Sequence, residues 1–195
     1  SMMFMDEGWK EVKVGRVFKA PQVVDSEKLK WEMGVSNYVA KRGEYQLFTA
    51  QFEKLLPPDS HCQKIFVTDG ATWIQNWVKE SYKGAIHILD FFHVCEKLGE
   101  VAPNKTWFDQ QKATLRLSGG AALVKKSVEQ LVKEHVKDAD KVLTYLENNQ
   151  ERMDYAYYRE QGWMIGSGPI ESAHRTVLQV RMKRSGQRWA NHGCD

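Results

Sequence analysis

The sequence predicts an α/β fold: a mixed sheet covered by helices and interrupted by an all-helical insertion. Three observations carry this. The opening stretch reads as strands joined by a short turn, as hairpins are. Two short apolar runs, Lys64–Thr68 (KIFVT) and Ala85–Leu89 (AIHIL), then alternate with helical stretches. From Pro103 to about Arg159 strand patterning disappears.

The elements follow in order. Met2–Met5 reads as the end of a strand, with Asp6–Glu7–Gly8 as a hairpin turn. Glu11–Phe18 sets Val12 and Val14 on one face and Glu11 and Lys13 on the other, a strand pattern. Ser36–Ala40 is a weaker third strand. Glu44–Leu56 carries Leu47, Phe48, Phe52, Leu55 and Leu56 at helical spacing, and Pro57–Pro58 ends it. The KIFVT strand closes at Asp69–Gly70, and Ala71–Ser81 is helical. The AIHIL strand closes at Asp90, and Phe91–Glu100 is helical. Leu115, Leu123, Val124, Val128, Leu131, Val142 and Leu146 then recur at helical intervals. Breaks are expected at Ser118–Gly119–Gly120 and near His135–Asp140. Gly162–Gly168 is glycine-rich, Pro169 suits a first helical position, and Ile170–Lys183 is helical. The expected organisation is a first core part over 1–100, a helical insertion over 101–160, and a return to the core over 161–195.

With 195 residues, 42% of them hydrophobic, the chain can bury one sizeable core. A net charge of +3 does not by itself announce nucleic acid; only local clustering can. No apolar run approaches the roughly 20 residues of a membrane span, and the start SMMFMDEGWK has no signal-peptide pattern. Three widely spaced cysteines, Cys62, Cys95 and Cys194, fit free thiols in a reducing cytosol. Ser1 leads into an apolar run that reads like the middle of a strand, so the chain is expected to be a piece of a longer protein.

Asp69 ends a buried strand, where carboxylates face the ligand crevice of open α/β sheets. The bland alternative is that it caps the next helix. Asp90 and His93, in LDFFHV, form an Asp-x-x-His that is either half a metal site or a helix cap beside a packed histidine. His61, Cys62, His93 and Cys95 lack the paired ligand spacing of a structural zinc site. Gly166–Ser167–Gly168 lacks the frame of a nucleophile elbow, and phosphate-cradling glycine loops are absent. Trp73 and Trp77 share a helix face, which suggests core packing. In Gly162–Ala190 the single acidic residue, Glu171, is followed by Arg175, Arg181, Lys183, Arg184 and Arg188. A lone carboxylate among cations suits a metal ion held beside a phosphate backbone, and equally a capped helix with a solvated basic face. Trp189 suits either a base stack or a core position.

Taken together, VTDGATWIQNWV, HILDFFHVCEKL and GWMIGSGPIESAHRTVLQVRMKRSGQRW resemble bacterial insertion-sequence transposases related to the Mutator group, in particular the Kra-type branch. The resemblance runs from Gly8 to Trp189. It implies a ribonuclease-H-like catalytic domain with a D-D-E triad and a helical insertion before the Glu. Asp69 matches the second Asp, Glu171 matches the Glu, and Asp90 with His93 matches the D-x-x-H of Mutator relatives. The first Asp is expected immediately before Ser1, which implies little or no cleavage by this chain alone and an N-terminal strand that is truncated. Asp6, in the hairpin turn, is a poor substitute.

The implied activity is Mg²⁺-dependent (or Mn²⁺-dependent) strand cleavage and strand transfer, an in-line displacement at phosphorus with Asp69 and Glu171 as metal-holding carboxylates. The implied partners are double-stranded DNA, at element ends and target, and further copies of the chain; no membrane is involved. Arg175, Arg181, Lys183, Arg184, Arg188 and Trp189 are the expected DNA contacts, giving salt-dependent affinity without sequence reading. The expected location is the bacterial cytoplasm at the nucleoid. The alternatives are a transposase remnant that binds DNA without cutting it, and a helical protein with a zinc clip.

Overall fold

The structure, a computed structural model, describes residues 2–5, 8–19, 36–57, 62–166 and 168. It is mixed α/β, with seven α-helices and two small sheets among the described residues. Contacts divide the chain into two compact units, Ser1–Cys62 with Gly168–Asp195, and Gln63–Ser167.

In the first unit β1 (Met2–Met5), β2 (Gly8–Phe18) and β3 (Ser36–Arg42) form an antiparallel sheet in the order β1-β2-β3. Met5 pairs with Gly8, the tight link expected of a hairpin. Helix α1 (Tyr45–Glu53) packs on this sheet. Its Phe48 and Phe52 are buried, but Leu47, expected on the same face, is 55% exposed. The helix also stops three residues short of Leu56, because the chain must turn before the proline at 57. Val12 is buried as expected, whereas Val14 is only half-buried. The closest approach falls at Gly15, where a Cβ would stand 2.6 Å from the Phe52 ring. A side chain there would force the Phe52 and Phe48 rings to shift.

In the second unit β4 (Ile65–Thr68) and β5 (Ile86–Leu89) run parallel, joined by α2 (Thr72–Ser81) as the crossover that parallel strands require. Among the described residues the strands pair as two small sheets, where one mixed sheet was expected. In each sheet the paired strands are neighbours in sequence, and a helical crossover joins the parallel pair. Trp73 and Trp77 are half-buried; Trp77 meets Phe66 and Tyr82 edge-on at 5.8 and 5.4 Å.

Five helices follow: α3 (Phe91–Val101), α4 (Lys105–Thr114), α5 (Gly120–Lys133), α6 (Ala139–Asn149) and α7 (Tyr155–Glu160), with a 3-10 turn over Gln150–Arg152. Asn104 and Asp154 cap α4 and α7 by accepting the backbone N–H groups of Trp107 and Tyr157. The breaks at Gly119 and around His135–Asp138 use positive φ, as their residue types allow. These helices share one core with β5: Ile88, Leu89, Leu98, Leu115, Val124, Val128 and Leu146 are all at most 2% exposed. Each such side chain contributes about 1.5–3 kcal/mol by leaving water. No helix among the described residues is long and apolar enough to cross a membrane.

Candidate functional site

The site begins with strand register. Thr68 pairs with Leu89, so the next residues, Asp69 and Asp90, leave the carboxyl ends of two adjacent parallel strands. The Asp90 N–H donates to Thr68 O at 2.8 Å and extends the ladder by one bond. Two acidic residues thus stand at the edge where α/β sheets bind ligands.

Their surroundings differ. Asp69 is exposed, and its Oδ1 accepts the Ala71 N–H at 3.1 Å. This is a local turn bond and not a cap: Ala71 itself occupies the N-cap of α2, without a side-chain cap bond. Gly70 makes the turn possible. Its φ is +86°, and a Cβ there would stand 2.8 Å from Leu89 and 3.0 Å from the Tyr145 hydroxyl. Asp90 is 4% exposed and caps α3, its Oδ1 accepting Phe92 N–H at 2.8 Å. The capping expectation therefore fits Asp90 and not Asp69.

His93 is half-buried on the first turn of α3. Its Nδ1 lies 3.2 Å from Glu96, and its ring meets Tyr145 at 6.2 Å. It packs as a helix histidine does. Among the described residues no three His, Cys, Asp or Glu side chains gather as a metal-binding group. Cys62 is exposed while Cys95 sits in the core, where burial pushes its thiol up to about 11.

The chain returns to this edge after α7. The Phe91 N–H donates to Ile165 O at 2.8 Å. Gly166 lies flat on Phe92: a Cβ there would stand 2.6 Å from the ring and 3.7 Å from Asp90 Oδ1. The glycine-rich lead toward Glu171 thus begins against Asp90. Glu171 itself, Arg175, Arg181, Lys183, Arg184, Arg188 and Trp189 lie outside the described residues, as do Asp6, His61 and Cys194.

Behind the two aspartates is a polar network that sequence reasoning missed. His87 Nε2 is 2.8 Å from Thr68 Oγ1 and 3.1 Å from an Arg152 NH group. A guanidinium can only donate, so Nε2 accepts and the ring proton sits on Nδ1. Burial, and then the Arg152 charge, lower the His87 pKa to about 4, so the ring is neutral. Arg152 also donates to Asn149 Oδ1, and Asn149 donates to Tyr145 O at 2.7 Å. Tyr145 reaches Asp69 O at 3.5 Å, and Tyr155 donates to Leu89 O at 3.0 Å, satisfying the last carbonyl of β5. Burial raises both phenols, so they act as neutral donors. His87 inside an otherwise apolar strand was the one available signal; the sequence around Arg152 and Tyr155 held none.

Compared with known proteins, the chain matches no family model, no curated protein and no solved structure.

Proposed function

We propose that the chain belongs to the catalytic domain of a DNA transposase, with a ribonuclease-H-like arrangement, a protein that cleaves and rejoins DNA by metal-dependent in-line displacement at phosphorus. The observation that carries this reading is the pairing of Asp69 and Asp90 at adjacent parallel strand ends, with the lead toward Glu171 packed on Asp90. The donors at this edge are carboxylate oxygens, the ligand type that hard divalent cations take. Asp69 and Glu171 would hold Mg²⁺ or Mn²⁺, which when bound polarises the phosphate and stabilises the leaving oxygen. Asp90 keeps one oxygen on the α3 N-terminus and so orients that helix beside the site. The basic series from Arg175 to Arg188 would grip the phosphate backbone.

The test is a nicking assay on the product of the full reading frame, with Mg²⁺ and Mn²⁺, on DNA carrying the element's ends. Metal-dependent nicking that Asp69→Asn and Glu171→Gln each reduce by at least about 10²-fold supports the reading. DNA retained without nicking, and insensitive to Glu171→Gln, points instead to a binding-only protein.

A further inference from the structure

We propose that Arg152 is a resident counter-charge for Asp69, a positioning residue that weakens divalent-ion binding at that end of the sheet while the protein is free of DNA. The inference rests on reading Asp69 as a metal-holding carboxylate.

Arg152 is 7% exposed, and its Nε is buried with no hydrogen-bond partner. Among the described residues no carboxylate lies within ion-pair distance of it; its partners are the neutral acceptors His87 Nε2 and Asn149 Oδ1. A buried cation without a carboxylate is costly, and a protein that keeps one has a use for the charge or loses stability. The use is suggested by what surrounds it. His87 links Arg152 to Thr68, the residue before Asp69. Asn149 links it to Tyr145, whose hydroxyl reaches the Asp69 carbonyl. The phenols of Tyr145, Tyr155 and Tyr158 and the Asp69 carboxylate are among the groups whose charge acts on Arg152. The phenols are neutral at ordinary pH. Asp69 is thus a carboxylate that the guanidinium faces across Thr68 and Tyr145 and not through contact.

A fixed positive charge beside Asp69 opposes a divalent ion bound to it. Charges of one and two units roughly 10 Å apart in a water-like dielectric repel enough to change affinity about fourfold, and more where water is excluded. DNA phosphates brought to the site would cancel that repulsion, so the ion would bind strongly only with its substrate present.

The experiment measures Mn²⁺ binding to the whole chain by electron paramagnetic resonance, without DNA. It compares wild type with Asp69→Asn, Arg152→Met, Arg152→Gln and Arg152→Lys, each checked for folding by circular dichroism. Arg152→Gln keeps a donor for His87 and serves if Arg152→Met does not fold. The proposal expects Asp69-dependent binding that tightens about threefold to tenfold in the folded neutral variant and stays near wild type in Arg152→Lys. A merely structural Arg152 would give weaker binding in the neutral variants. Unchanged or weaker binding there, with Asp69 still required, overturns the counter-charge and leaves the transposase reading intact. Wild-type binding that is absent, or indifferent to Asp69→Asn, overturns both.

Discussion

Acid should destabilise the second unit through His87, and the size of the effect follows from its surroundings. In the folded chain the ring titrates near 4, against 6.5 for an ordinary histidine, because burial and Arg152 both oppose a charged imidazole. The unfolded chain therefore takes up a proton at this position first. Above pH 6.5 neither state is protonated, and the neutral ring contributes its full stability. As pH falls from 6.5 to 4 the unfolded state gains protons that the folded state cannot, and stability is lost. Linkage sets this at about 2 kcal/mol by pH 5 and about 3 kcal/mol by pH 4, as upper figures. The ring is only partly buried, and solvent screening brings the loss nearer to about 1–2 kcal/mol. The perturbation is His87→Gln, which keeps an acceptor for Arg152 without titrating. Urea unfolding followed by circular dichroism between pH 7 and pH 4 measures it. The variant should lose less stability than wild type across that window, by about 1–2 kcal/mol at pH 4. Parallel profiles for the two proteins would refute the placement of a neutral His87 against Arg152.

Two further outcomes are expected. Gly70→Ala should lower stability by about 1–3 kcal/mol, read as a lower thermal midpoint, because alanine at φ +86° is strained and its Cβ meets Leu89 and Tyr145. Tyr155→Phe should cost about 1–2 kcal/mol in urea unfolding, because it leaves the buried Leu89 carbonyl without its donor.

Much of the local structure was legible. The strands at β4 and β5, the helices after them, and the breaks near Gly119 and His135 all follow from apolar spacing and turn residues, which act over a few positions. So did the placing of Asp69 and Asp90 immediately after buried strands. Periodicity was less reliable about which apolar residues face inward. Leu123 lies on the expected helical series yet is 49% exposed, because a helix buries only the stripe its neighbours cover.

By itself, the sequence determined the order of elements, the acidic residue at each parallel strand end, and the isolation of Glu171 among cations. Tertiary structure alone decided the rest of the described site. It separated the roles of the two aspartates, one exposed in a glycine turn and the other buried as a helix cap. It also joined Arg152 to His87, Tyr145 to Asp69 and Tyr155 to Leu89, pairs 65 or more residues apart. Spacing encodes contacts within one element, since backbone geometry repeats over a few residues. Contacts between elements depend on how whole helices pack around a shared core, and no local pattern records that.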